Sequence, residues 1–246
     1  MYKPKLTPIS HDLSSTQLGQ ALPNPFRLLT WNLHKTDFAH YIHRPIEQLL
    51  SMEPPHLLSF QEAATRPMQN RFFNLPFVMA PNIETRQKHF GVLTATEFGM
   101  TAQHQCLTRS RELGWTTHKT ALVTEHCLQN GETLTHINIH AINFVPNRLF
   151  QQELNLLWHL IAEKSGPMIV SGDFNTWNKT RVAMLEKAVQ QLGLSEVAYP
   201  DTRPIRTLNR QILDYVFYRG LTVQSARAFH VEEISDHNPL EVVFAL

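Results

Sequence analysis

The stretch Ile169-Val170-Ser171-Gly172-Asp173-Phe174-Asn175 constrains this chain more than any other. An apolar run enters a tight turn that presents a carboxylate and, after one intervening phenylalanine, a carboxamide. A buried strand delivers Asp173 and Asn175 to its C-terminal end, where layered α/β proteins bind ligands. A carboxylate placed there can activate water, and an amide can hold that water or a phosphate oxygen. Taken alone, the same residues also read as a plain Asx turn.

Four further motifs follow the same rule. Thr30-Trp31-Asn32 closes an apolar run that starts at Phe26, and Ser59-Phe60-Gln61-Glu62 closes a run from His56. Asn138-Ile139-His140 ends an alternating run from Leu134, and Ser235-Asp236-His237-Asn238-Pro239 precedes the last apolar strand. Each puts an amide, an acid or an imidazole where a strand gives way to a loop. This ordered set resembles the endonuclease/exonuclease/phosphatase superfamily, the fold of pancreatic-type deoxyribonuclease and exonuclease III, over roughly residues 26–246. The phrases His140-Ala141-Ile142-Asn143-Phe144 and Gly172-Asp173-Phe174-Asn175-Thr176-Trp177 resemble the bacterial YafD-like branch of it.

Composition bounds the rest. A chain of 246 residues with 42% hydrophobic residues can bury a sizeable core, and no Pro/Gly/Ser-rich linker divides it. Residues 1–25 are polar and proline-punctuated and read as an extended arm; residues 26–246 read as one catalytic domain. A formal net charge of +1 sets up no field for a polyanion, although a bound metal can supply local positive charge to a nuclease. Cys106 and Cys127 suggest reduced, buried thiols and no disulfide framework. No apolar run approaches a membrane span, and no apolar stretch follows Lys3 and Lys5 as in a secretory signal, which predicts a cytoplasmic location. Most of the 14 histidines, among them His11, His40, His43, His104 and His126, read as surface or capping residues. The sequence shows no zinc-type spacing and no evident obligate protein partner.

Periodicity predicts strands at Phe26–Trp31, His56–Phe60, Phe77–Ala80, Phe90–Thr96, Thr120–Leu128, Leu134–Ala141, Met168–Ser171, Ile212–Tyr218, Leu221–His230 and Leu240–Phe244. It predicts helices at Tyr41–Met52, Arg148–Glu163 and Arg181–Leu192. The pattern supports an α/β chain rich in antiparallel strand. The resemblance implies a four-layer α/β/β/α sandwich of two mainly antiparallel sheets with helices outside.

Oxygen-rich ligation suits Mg2+ or Mn2+, and the expected ligands are Glu62 and Asp236, with Asn32 completing or positioning the shell. The resemblance implies that His237 touches the scissile phosphate and that Asp214, inside the apolar strand Leu213–Phe217, orients it. It implies Asp173 as the base or water-positioning group, with Asn175 orienting the water or binding phosphate. His140 matches a histidine of the deoxyribonuclease-like, phosphoinositide phosphatase-like and sphingomyelinase-like branches, and would hold a phosphate oxygen or protonate the leaving oxygen. Arg111-Glu112 resembles a deoxyribonuclease segment whose arginine contacts phosphate; Lys119 and Arg148 are weaker candidates for the same groove.

Two departures shift the reading away from DNA, and a third bears on the second-metal shell. Gln61-Glu62-Ala63-Ala64 lacks the basic residue that often follows. Pro200–Pro204 and Thr207–Arg210 stand where abasic endonucleases carry an aromatic-rich segment. His34 falls where some members have an acid near the metal. The expected function is metal-dependent hydrolysis of a phosphodiester, with nucleic acid among the candidate substrates. The order of preference is a small or single-stranded phosphodiester, then duplex DNA, then abasic DNA. The alternatives are a phosphomonoesterase or lipid-headgroup phosphodiesterase, and a catalytically silent binding module on the same fold.

Overall fold

A computed structural model describes residues 9–11, 20–36, 38, 54–231 and 234–246. The helix expected at Tyr41–Met52 lies outside the described residues. One sheet has seven strands: β1 (Ile9–His11), β2 (Phe26–Asn32), β3 (Leu57–Thr65), β4 (Phe77–Glu84), β5 (His89–Ala95), β14 (Thr222–Ala228) and β15 (Leu240–Ala245), in the order β1-β4-β5-β3-β2-β15-β14. The other has six: β6 (Thr101–Leu107), β7 (Thr120–Cys127), β8 (Thr133–His140), β9 (Met168–Asp173), β10 (Ser195–Glu196) and β13 (Asp214–Arg219), in the order β10-β13-β9-β8-β7-β6. A short hairpin of β11 (Thr207–Leu208) and β12 (Gln211–Ile212) precedes β13. The two sheets face each other, and α1 (Asn147–Ala162) and α2 (Lys179–Gln191) pack outside the second one. This is the sandwich of two facing sheets with outer helices that the resemblance implied; among the described residues the helices cover the second sheet.

Alternation along the strands builds the layers. On β2, Phe26 and Leu28 point between the sheets, where they join Leu57, Leu134, Ile169 and Val216, while Leu29 and Trp31 join the opposite face. Met168 and Val170 of β9 face α1 and α2 instead. The Leu22 side chain is buried between the sheets, so the segment before β2 is part of the packing. Strands β1, β6 and β10 escaped the sequence reading because they are short or polar edge strands, whose pairing a hydrophobic pattern does not report.

Each sheet has one parallel pair near its middle, β2 with β3 and β8 with β9. Parallel strands end at the same edge, so four C-terminal ends gather at one end of the sandwich. Near that end the layer between the sheets turns polar. Gln61 Nε2 donates to Asn138 Oδ1 at 2.8 Å, and Ser59 Oγ lies 2.8 Å from Ser171 Oγ. Farther from that end, His136 Nε2 lies 3.0 Å from Ser171 Oγ, and His126, which pairs with Leu134 toward the opposite end, has Nε2 2.9 Å from Thr124 Oγ1.

His126 therefore corrects the surface expectation: it is 1% exposed. Its neutral ring can share hydrogen bonds inside the sandwich, which a surface role would not require. Cys127 likewise differs from the expectation, being exposed, while Cys106 is half-buried. No described helix is long and apolar enough to cross a membrane.

Burial pushes the pKa of His126 down to about 4, and burial together with His126 pushes that of His136 well below the ordinary value. The unfolded chain then binds protons that the folded chain refuses. Stability is held above about pH 6.5 and falls as pH drops from there toward 4, by on the order of 3 kcal/mol for His126 alone. Urea melts across this range should show the loss, and His126→Gln should flatten it. An unchanged pH dependence in that variant would remove His126 as its source.

Candidate active site

Strand register alone lines up three of the expected residues. Asp173 pairs with His140 on one side and with Asp214 on the other, so an imidazole and two carboxylates stand on adjacent strands. Gly172 permits this. Its φ is +137°, and a Cβ there would lie 2.0 Å from the Ile139 carbonyl oxygen. Phe174 anchors the following turn, buried edge-on against Tyr215 and Phe217.

Asp173 is 2% exposed and both its oxygens are engaged. Oδ2 accepts from Asn32 Nδ2 at 3.0 Å, which joins the two sheets, and Oδ1 accepts from the Asn175 backbone N–H at 2.9 Å. His140 Nε2 lies 3.5 Å from Oδ2, and His237 Nε2 lies 3.8 Å from it. Asn175 sits in the left-handed region at φ 51°, and its amide donates to the Ala141 carbonyl at 2.9 Å.

His237 Nδ1 and Asp214 Oδ2 are 2.7 Å apart, the pairing that the resemblance implied. The imidazole's loop is fastened to the end of β2: Trp31 Nε1 donates to the His237 carbonyl at 2.8 Å, and Ser235 Oγ donates to the Asn32 carbonyl at 2.6 Å. Burial opposes charge on His237, but Asp214, Asp173 and Asp236 outweigh it and raise its pKa to about 9. The ring is cationic at neutral pH. His140 differs: burial, assisted by Lys119, pushes it down to about 4 against the pull of Asp173 and Glu62. It is neutral at neutral pH, so it offers an N–H or a lone pair and no charge.

Glu62 stands on a β-bulge. Phe60 pairs with Leu93 while Ala63 pairs with Gly91, and the extra residue puts Glu62 at φ 49°. Bulges re-aim side chains beside active sites. Lys119 Nζ lies 3.2 Å from Glu62 Oε1, Lys35 Nζ lies 3.4 Å from Oε2, and His140 Nε2 lies 3.8 Å from Oε1. Burial would raise the pKa of Glu62, yet His140, Lys119 and Lys35 bring it down to about 2.

Of the remaining expected residues, Asp236 directly precedes His237 and helps to raise its pKa. Asp236 is half exposed, and its carboxylate meets His34 Nδ1 at 3.1 Å and Arg206 at 3.3 Å. Arg111 donates to His118 Nε2 at 3.1 Å. Arg148 is exposed. Two lysines are brought against Glu62, and of these Lys119 is the buried one, 7% exposed and also 3.7 Å from Glu112. The positions of Lys35 and Glu112, and the work of Arg181, were not read from sequence. Arg181 is fully buried, donates to the carbonyls of Ile142, Asn175 and Val145, and lies over the Phe150 and Trp177 rings. It thereby fastens the loops after β8 and β9 together. The available signal was weak: a lysine directly before an apolar strand, and an arginine in the first turn of a helix capped by Asn178.

The model of the endonuclease/exonuclease/phosphatase family matches residues 29–237. The chain belongs to that family. A UPF0294 protein of Yersinia pseudotuberculosis is 35% identical over 236 residues, covering 92% of this chain and 87% of its own. An endonuclease/exonuclease/phosphatase family protein from Leptotrichia buccalis has a similar structure, with a TM-score of 0.65 at 16% identity over 90% of this chain and 100% of its own. The catalytic domain of human Nocturnin with a bound sulfate anion matches at a TM-score of 0.59 and 18% identity, over 92% of this chain and 96% of its own. These two likenesses show the fold.

The ion pair makes a measurable claim. A histidine with a raised pKa contributes stability that is complete below the ordinary 6.5 and lost as pH rises through about 9. An NMR titration should place His237 near 9, and Asp214→Asn should lower that value by about one unit or more. A midpoint near 6.5 in the unmodified protein would show that the pair does not hold the charge.

Proposed function

We propose that the chain is a Mg2+- or Mn2+-dependent phosphoesterase that hydrolyses a phosphodiester. One observation carries this reading: Asp173 is held through both oxygens beside a cationic imidazole, a neutral imidazole and a lysine-bound glutamate. Such a site has a group to take a proton from water and several to meet charge on a phosphoryl oxygen.

In this reading Asp173 orients the attacking water and takes its proton as the new P–O bond forms and the P–O bond to the leaving oxygen breaks, that oxygen taking its proton from solvent water. Its own hydrogen bonds to Asn32 and Asn175 fix the direction in which it can act. His237, locked by Asp214, faces the phosphate as a cation. His140 adds a neutral contact to a phosphate oxygen; its lowered pKa favours that role over proton delivery to the leaving oxygen. Lys119 takes the phosphate-binding place expected of Arg111, because it is the buried one of the two lysines that reach Glu62. Asn175 remains a candidate to orient the water.

The residues fit a hard divalent cation. Glu62, Asn32 and Asp236 offer oxygens, and ammonium groups already face both oxygens of Glu62. These residues would hold the ion, with Glu62 the principal ligand, and when bound it would supply positive charge to the phosphoryl oxygens. Among the described residues, ligand atoms of Asp173, Asp214 and His237 also converge within 4.8 Å of one another. The short His237–Asp214 contact commits an atom of each of those two, which supports an orienting pair there. The silent-module alternative is disfavoured because Glu62, Asp173 and His237 are all present.

The test is turnover of bis-p-nitrophenyl phosphate, plasmid DNA, RNA and inositol phosphates with Mg2+ or Mn2+ and with EDTA. Activity should vanish in EDTA and return with the ion. Asp173→Asn should cut kcat by roughly 10²–10⁴-fold. Glu62→Gln should weaken Mn2+ binding while leaving the fold intact, as read by an unchanged circular dichroism spectrum. Full turnover in metal-free buffer would sink the metal assignment, and an unchanged rate in Asp173→Asn would remove it as the base.

A further inference from the structure

Three large apolar side chains stand in water beside the site. Leu113 and Phe144 are each 59% exposed, and Trp115 is 67% exposed. They belong to two loops that are joined to each other and to the site. Leu113 N–H donates to the Phe144 carbonyl at 3.3 Å, and Asn143 N–H donates to Glu112 Oε1 at 2.8 Å. The other Glu112 oxygen lies 3.7 Å from Lys119, whose ammonium reaches Glu62. The apolar tips are therefore a rim of the same mouth. Leu113 and Phe144 both sit at left-handed φ, 51° and 45°, where a plain surface turn would favour glycine or asparagine.

A second feature lies next to this rim. Between β6 and α1 a cleft of about 320 Å³ extends to His140 and Ala141. Much of its wall is aliphatic or aromatic, including Leu107, Phe150, Leu154, Leu157 and the 40%-exposed Leu156. Arg109 at its edge is exposed, beside Glu153, whose carboxylate accepts from the Arg109 and Ser110 N–H groups, and Arg148 at the start of α1 is exposed. A nucleic-acid strand needs a track of cations, which a net charge of +1 does not favour. Leucine also offers no ring face for a base to stack on. Exposed tryptophan, phenylalanine and leucine, with an exposed arginine at the edge of the adjoining cleft, match the apolar boundary and anionic headgroups of a bilayer.

We propose that Leu113, Trp115 and Phe144 form a docking rim for a lipid surface, and that the phosphodiester presented to the site is a lipid headgroup. The identity of the substrate rests on the phosphoesterase reading, but the docking does not. A lipid in this position places its phosphate toward Lys119 and His237 and leaves its acyl part to the rim and cleft.

The experiment uses the full chain with vesicles of phosphatidylcholine and phosphatidylglycerol in equal parts. Co-sedimentation and tryptophan emission are read together, because Trp31 and Trp158 are buried and Trp115 is the most exposed indole. The expected result is sedimentation with the vesicles and a blue shift. Trp115→Ala combined with Phe144→Ala should weaken partitioning by about tenfold or more while circular dichroism stays unchanged. Leu113→Gln, a second and milder variant, should weaken it by a smaller factor. Failure to sediment, or equal partitioning of all three proteins, would overturn the rim. Tighter binding of a single-stranded oligonucleotide that the same substitutions abolish would also overturn it, in favour of base stacking. Hydrolysis of bis-p-nitrophenyl phosphate is measured on the same preparation. Turnover without vesicle binding sinks the rim and leaves the phosphoesterase; vesicle binding without turnover of any phosphodiester does the reverse.

Discussion

The site depends on one hydrogen bond that crosses from sheet to sheet. Asn32 ends a strand of the seven-stranded sheet, Asp173 ends a strand of the six-stranded one, and 3.0 Å separates their side chains. Neither sheet carries the whole cluster. Glu62 and Asn32 come from one, His140, Asp173 and Asp214 from the other, and His237 from a loop fastened to the first. The polar layer behind them, Gln61 on Asn138 and Ser59 on Ser171, holds the two sheets in register where an apolar layer would allow sliding. Buried hydrogen-bonded pairs of this kind are directional, and leaving either partner unmatched is costly.

Local strain accumulates around this junction. Glu62, Asn175, Leu113 and Phe144 all take left-handed backbone without being glycine. Such conformations persist only where surrounding structure determines them. Arg181 is one source of that determination. Its guanidinium is buried and donates to three backbone carbonyls from the loops after β8 and β9, with no carboxylate among those bonds. Its position explains how two loops that carry the buried Asn175 and the exposed Phe144 keep fixed shapes.

The sequence made most strands legible, because two-residue alternation separates the apolar faces of β2, β3, β8 and β9. It also made Asp173, Asn175, His140, Asp214 and His237 legible, since each closes or opens an apolar run. Strand register then did the rest, setting His140, Asp173 and Asp214 side by side. The cations were harder to read. Arg111 and Lys119 lie in one segment, and only the fold decides that the first meets His118 and the second meets Glu62. His126 was misread for a related reason: a histidine in an alternating strand carries no mark of whether its face meets water or the opposite sheet. A charge such as that of Arg181 is buried only because loops distant in sequence bring carbonyls to it.

If the two sheets form one catalytic unit, Asn32 works through Asp173. The direct measurement is a double-mutant cycle on kcat with bis-p-nitrophenyl phosphate and Mn2+, comparing Asn32→Ala, Asp173→Asn and the pair. At Mn2+ concentrations that saturate every variant, which offsets any loss of the Asn32 oxygen as a ligand, the account predicts that Asn32→Ala slows turnover and that the double variant is no slower than Asp173→Asn alone, because the removed bond has no carboxylate left to position. Losses that multiply would show that Asn32 and Asp173 act separately, and would contradict a site built on their contact.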